Sequence, residues 1–194
     1  MTAALLRTEA VAALARVRGD MLSVVTMQAV EPWNALGQAN DRNFNVVGCM
    51  GSAAAVGLGL ALARPEERVL VVDGDGSVLM QLGTLVSIAG LGPANLYHVV
   101  FENGVYETSG RQPVPGRGVT DLCKVAQASG FRHVYRFDSP VDLDGRLAEC
   151  VREPGPVFVS LRITGQGMVE HPVAVPNKPT QVENMRRALS APSR

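Results

Sequence analysis

Neither sign of charge predominates in this chain. Eighteen Lys and Arg face eighteen Asp and Glu over 194 residues. There is no basic block and no aromatic stripe interleaved with cations, so no electrostatic footprint for nucleic acid is present. Cysteine is scarce. Cys49, Cys123 and Cys150 lack metal-ligand spacing and cannot all pair, which points to reduced thiols and a cytoplasmic protein. Met1 to Leu6 has no basic start ahead of its apolar residues, so no signal peptide is read there. One long stretch lacks charge, the 18 residues from Val46 to Ala63. More than half of it is Gly, Ala and Ser, it contains four glycines, and no aromatic anchors flank it. It therefore reads as a buried strand end and a buried helix, not as a membrane span.

What is present is ordinary for a globular α/β chain: 46% hydrophobic and 19% charged residues, enough to bury a core without disulfides. Short apolar runs alternate with helical segments. Strands are expected at Leu22–Thr26, Phe44–Val47, Arg68–Val72, Leu96–Phe101, Val134–Phe137 and Val157–Ile163. Helices are expected at Thr8–Val17, Pro32–Ala39, Gly51–Ala63, Ser77–Ala89, Thr120–Ser129 and Val141–Val151. The pattern predicts an α/β fold of three layers, a doubly wound, mainly parallel sheet with helices on both faces. Near-continuous apolar strands suit burial on both sides. The expected organisation is an α/β domain over 1–164. A Pro-rich arm carrying Pro172, Pro176 and Pro179 follows over 165–194, with a short helix from Gln181 to Leu189.

The chemistry centres on Val71-Val72-Asp73-Gly74-Asp75-Gly76-Ser77, where an apolar strand stops in a glycine-aspartate turn. Ligands of open α/β sheets sit at carboxyl ends of strands. The glycines suit close backbone approach and Ser77 suits a helix start. A dinucleotide fingerprint would need a third glycine at position 79, which is Leu79, and an aspartate would repel phosphates there. No P-loop sequence exists. A divalent cation resolves the conflict, since Mg²⁺ shares its octahedron between one or two side chains, water and phosphates. The next strand ends in Glu102-Asn103-Gly104-Val105-Tyr106. The 26 residues between Gly76 and Asn103 match one helix, a turn and a parallel strand. Asp75 and the Asn103 amide oxygen are thus expected at neighbouring strand ends.

Gly-Asp-Gly-Ser, this interval and then Asn resemble the metal and diphosphate signature of the thiamine diphosphate-dependent enzymes. Asn45-Val46-Val47-Gly48-Cys49-Met50-Gly51-Ser52 resembles the cofactor-facing loop of that family. Gly48-x-Met50-Gly51, Leu79-Met80-x-Leu82-Gly83, Asn103-Gly104-Val105-Tyr106 and Ser109-Gly110-x-Gln112-Pro113 look like the sulfopyruvate and phosphonopyruvate decarboxylases within it. The resemblance spans roughly Phe44 to Gly130. It implies a thiamine diphosphate-binding fold and the following roles. Mg²⁺ would be held by Asp75, Asn103 and the Val105 carbonyl, and the diphosphate by Gly76 and Ser77, with Gly74 and Tyr106 also among the cofactor-binding residues. The Gly48 carbonyl would accept from the cofactor's amino group. Met50 would support the bent cofactor, and Arg111 would face an anionic substrate tail. Glu102 stands where the family commonly has a first Asn.

The chain has room for the diphosphate half only. The resemblance therefore implies a subunit of a 2-oxo acid decarboxylase that needs a separate pyrimidine-domain subunit, in a dimer or hetero-oligomer. The rival readings are another lyase, carboligase or oxidoreductase on this cofactor, or a cofactor-binding module without turnover. His98 is expected as a satisfied core histidine, His133 at the surface and His171 in the arm. Cys49 is expected as a small buried residue. Trp33 and the methionines other than Met50 are expected in packing, and Asp73 as a residue that orients the turn.

Overall fold

The computed structural model describes residues 4–164 and 178–190. In chain order the elements are β1 (Leu5–Leu6), α1 (Arg7–Arg18), β2 (Leu22–Thr26), α2 (Val30–Ala35), β3 (Asn43–Val46), α3 (Ala53–Ala63) and β4 (Val69–Gly74). There follow α4 (Asp75–Met80), α5 (Gly83–Leu91), β5 (Leu96–Glu102), β6 (Val105–Tyr106), β7 (Gln112–Pro113) and α6 (Leu122–Ser129). The last are β8 (His133–Phe137), α7 (Pro140–Cys150), β9 (Val157–Thr164) and α8 (Lys178–Ser190). His171, Pro172 and Pro176 lie outside the described residues.

Seven strands form one parallel sheet in the order β1-β9-β5-β4-β2-β3, with β8 beside the first half of β9 and β1 beside its end. Successive side chains of a strand point to opposite faces, and β4 shows the consequence. Leu70 and Val72 join Leu14, Trp33 and Leu147 in one core. Val69 and Val71 join Leu58, Leu85 and Ile88 in the other. Helices α1, α2 and α7 cover the first face, and α3, α5, α6 and α8 the second. Both cores are needed to bury a central strand, which explains why β4 and β5 read as unbroken apolar runs.

Composition shapes the local packing. In α3, Gly57 lies so close to Val71 that an added Cβ would overlap its side chain, so the small-residue helix lets backbone approach sheet. Arg18, buried at the end of α1, donates to the carbonyls of Met21 and Arg42 and to Gln38 and Asn40. Burial pulls its pKa down to about 10. Trp33 Nε1 donates to Asn43 Oδ1 at 3.0 Å, so that packing residue also anchors a buried polar row on β3. Helix α8 docks on β3, where Asn45 N donates to Gln181 Oε1 at 2.7 Å and Met185 enters the second core.

Several boundaries differ from expectation. The helix expected over Ser77–Ala89 is two helices, α4 and α5, interrupted at Gln81 and Leu82. Helix α4 begins at Asp75 with Gly74 in the capping position, so Ser77 lies inside the first turn. Helix α1 starts at Arg7, one residue before the expected Thr8, and is preceded by Leu6, whose N–H donates to Glu9 Oε2. Strand β1 and the β6–β7 hairpin, two residues per strand, are too short for periodicity to reveal.

Candidate active site

The carboxyl ends of β2, β4 and β5 open into a cleft. Its wall includes Met50, Gly74, Asp75, Gly76, Ser77, Asn103, Val105 and Tyr106, eight residues that the sequence places in the site. Strands β4 and β5 pair in parallel with Gly74 opposite Phe101, so the turns after them are neighbours. Asp75 joins those turns. Its Oδ1 accepts from Gly76 N and its Oδ2 from Gly104 N, each at 2.7 Å. Asn103 Oδ1 accepts from Val105 N at 2.9 Å, which shapes the turn in front of the hairpin.

Asp75 is buried, and no cationic side chain pairs with it among the described residues. Burial pushes its carboxyl above the usual range, against the backbone donors of Gly104 and Gly76, and the charge of Glu102 pushes the same way. Glu102 itself turns toward β9, where Ser160 Oγ donates to its Oε1 at 2.5 Å. The residue just before Asn103 is therefore engaged with β9.

Among the described residues, no group of three or more His, Cys, Asp and Glu side chains could hold a metal. Asp75, Asn103 and Val105 instead line one cleft, and a single buried carboxylate with an amide and a backbone oxygen suits a hard cation that completes its shell with water and phosphate. The donors present fit Mg²⁺, with Asp75 supplying the charge.

Ser77 Oγ accepts from Gly51 N at 2.9 Å, tying the loop before α3 to the start of α4. That tie brings Met50 to the cleft. Gly76 is required by a close approach, since an added Cβ would meet the Tyr106 ring, 2.7 Å from Cδ1. Gly74 differs from its expected role in a tight approach, for nothing lies within 4 Å of its would-be Cβ. Gly74 itself lines the cleft. Gly48 and Arg111 are not wall residues. Both are exposed and both take left-handed backbone, at φ +74° and +62°.

Two surroundings correct the sequence reading. Cys49 is exposed, not buried, because its loop ends β3 at the sheet's edge. His98 is in the core, but only Nε2 has a partner, Asp73 Oδ2 at 3.3 Å, while Nδ1 has none among the described residues. Asp73 also accepts from Gly74 N through Oδ1, so it does orient the turn. His133 is half-buried, 3.9 Å from Glu153. Met80 is exposed.

The structure adds wall residues that the sequence did not single out, Arg7, Thr26, Met27 and Gln28, and sets Glu107, from the loop after Asn103 whose residues stand within reach of a substrate, on the wall with them. Met27 has φ +51°, a left-handed conformation uncommon for a residue with a side chain. Such strain, of order 1–3 kcal/mol, persists where the surroundings hold it. Arg7 pairs with Glu107, and both are buried. Burial lowers the Arg7 pKa, Glu107 opposes this, and the nearby charge of Arg111 lowers it further. No local sequence pattern pointed to Arg7, Thr26, Met27 or Gln28, whereas Glu107 follows Tyr106 in the loop after the Asn103 turn.

Residues 24–161 match the family described as thiamine pyrophosphate enzyme, C-terminal TPP binding domain. The chain belongs to this family. Phosphonopyruvate decarboxylase of Streptomyces viridochromogenes is 48% identical over 123 residues, 63% of this chain and 30% of that protein. Sulfopyruvate decarboxylase subunit beta of Methanothermobacter thermautotrophicus is 43% identical over 122 residues, 63% of this chain and 62% of that subunit. The matched stretch is thus less than two thirds of the length of either relative. In fold, a thiamin diphosphate-dependent enzyme from Mycobacterium smegmatis superposes with a TM-score of 0.71 at 20% identity, over 85% of this chain and 33% of that one. The 2-oxoglutarate:ferredoxin oxidoreductase of Magnetococcus marinus gives 0.62 at 16% identity, over 84% and 62%. This thiamine pyrophosphate-binding domain therefore has the parallel α/β fold of its family, with Asp75 buried on the wall of the cleft. Among the described residues no helix is long and apolar enough to cross a membrane.

Proposed function

We propose that this chain is the diphosphate-binding subunit of a thiamine diphosphate- and Mg²⁺-dependent 2-oxo acid decarboxylase of the sulfopyruvate or phosphonopyruvate kind. The observation that carries this reading is the Asp75 carboxylate. It is buried without a cationic partner among the described residues and spans two neighbouring strand-end turns.

Asp75, the Asn103 amide oxygen and the Val105 carbonyl hold the magnesium ion. The Ser77 hydroxyl, already an acceptor from Gly51 N, keeps its proton to donate to the diphosphate beside Gly74 and Gly76. Met50, on the wall of the cleft, offers an apolar support, and Gly48, exposed two residues before it, would offer its carbonyl to the cofactor's amino group. Tyr106, packed on Gly76, also lines the cleft. Arg111, exposed on the loop after β6, takes the second anionic group of the substrate. When bound, thiamine diphosphate supplies the carbanion and the electron sink for loss of CO₂. The chain's own contribution is position and fixed charge, with no reorganisation at the moment of reaction.

A second subunit carrying the pyrimidine-binding domain completes the site in this reading. Relatives named as subunit beta support it, because such a name belongs to a protein with a partner. The three free thiols suit a reducing, cytoplasmic setting.

The test is reconstitution. The chain alone, supplied with thiamine diphosphate and Mg²⁺, is expected to release negligible CO₂ from a panel of 2-oxo acids. Mixing with a pyrimidine-domain subunit is expected to restore release, and Asp75→Ala to abolish it. Full activity of the chain alone would overturn the half-site reading. Undiminished activity of the Asp75 variant would overturn the metal assignment.

A further inference from the structure

Arg7 and Glu107 are 100 residues apart in sequence, form an ion pair through Nη2 and Oε2, and have side chains only 2% and 1% exposed. Both line the cleft. Arg7 lies outside the family-matched residues 24–161 and Glu107 lies inside them. Arg7 arrives there because β1 pairs with the end of β9, Leu5 opposite Ile163 and Leu6 opposite Thr164, which sets the first residue of α1 beside the cleft. Glu107 follows Tyr106 in the turn between β6 and β7.

One oxygen of this pair remains unexplained. Glu107 Oε1 is buried and has no hydrogen-bond partner among the described residues. Leaving such an acceptor unmet costs about 1–3 kcal/mol, and more for a charged group. Native proteins rarely leave one except where a ligand or water completes it. An arginine has only donors, so the oxygen on its side is engaged, and the other, Oε1, is left unmet on a residue that lines the cleft.

We infer that Glu107 is a ligand-contacting residue, whose Oε1 accepts a hydrogen bond from an N–H or O–H donor of the molecule bound in the cleft, with Arg7 as the positioning residue that aims it. The inference rests on the proposed reading of the cleft and extends it to a contact that the signature residues do not include. The donor has two sources, the amino group of thiamine diphosphate or a hydroxyl on the substrate side.

Glu107→Gln tests this with little change of shape. Because Arg7 can only donate, the glutamine must turn its carbonyl oxygen to Arg7 and its NH₂ to the cleft. The variant thus keeps the contact with Arg7 and replaces the cleft acceptor by a donor. In one arm, calorimetry on the full chain measures thiamine diphosphate binding with Mg²⁺. In the other, KM for the 2-oxo acid is measured in the complex with the pyrimidine-domain subunit at saturating cofactor. We expect a loss of about tenfold or more in cofactor affinity, or a rise of that size in KM, with the melting temperature nearly kept. The arm that moves identifies the source of the donor. Arg7→Met, which removes the aiming partner, is expected to lower both the melting temperature and the same affinity.

If wild type binds and turns over but Glu107→Gln matches it in both arms, the inference fails while the reading of the cleft stands. If wild type takes up no thiamine diphosphate at all, the reading fails and the inference with it.

Discussion

Gly76→Ala probes the close approach on which the cleft is built. The new Cβ would lie 2.7 Å from Tyr106 Cδ1 and nearer still to Cε1, against the 3.4 Å of ordinary contact. The ring must therefore retreat by roughly 0.7 Å or more, and overpacking of this kind costs about 1–3 kcal/mol. Tyr106 is only half-buried and can swing toward the cleft, which places the cost at the low end, about 1 kcal/mol. In urea that is a midpoint lower by roughly 0.3–1 M at unchanged slope. The swing carries the ring into the volume bounded by Asp75 and Asn103, so thiamine diphosphate affinity should fall with stability. A double-mutant cycle isolates the cause. Tyr106→Ala should cost about 1 kcal/mol less in the Gly76→Ala background than in wild type, because the obstruction has gone. Gly74→Ala is the contrast. It meets nothing within 4 Å and has φ −121°, so stability should hold within about 1 kcal/mol, while the filled wall weakens cofactor binding. Equal costs of Tyr106→Ala in both backgrounds would refute the reasoning.

Two further outcomes are expected. Asp121 caps α6 by accepting from Lys124 N at 3.1 Å and pairs with Arg136, whose hydrogen bond holds its carboxyl below the usual range. The stabilisation is present above the unfolded value near 3.9 and is lost as pH falls through the lower folded value. Asp121→Ala should cost about 1 kcal/mol near neutrality, with the gap to wild type closing below about pH 4 in urea titrations. A gap of constant size into strong acid would argue against it. Thiol labelling of the native chain should modify Cys49 quickly and spare Cys123 and Cys150, both buried, the latter with its thiol pushed up to about 11. Rapid modification of all three without denaturant would contradict the core described here.

Much of the fold was legible because its signals are local. An apolar run of five residues, a glycine or proline stop and a helical period need no knowledge of distant partners. Leu22–Thr26 coincides with its expected bounds, and the other long strands fall within one or two residues of theirs. The interval from Asp75 to Asn103 is legible for the same reason. A strand, a helix and the next parallel strand return the chain to the same end of the sheet. The break between α4 and α5 was hidden because Gln81 and Leu82 carry no helix-stopping residue type. The exposure of Cys49 was hidden because a strand's place at the sheet edge depends on the whole strand order.

The sequence by itself therefore determined the alternation of strands and helices, the glycine-aspartate turn and the amide one βαβ unit away. These are set by side-chain periodicity and chain reach over tens of residues. Tertiary structure alone decided that Arg7 and Glu107 share a buried wall of the cleft, that Met27 and Gln28 face it, and that Glu102 turns away to Ser160. Such pairings follow from strand order and register across the whole sheet. No spacing within the chain encodes which of its distant turns will meet.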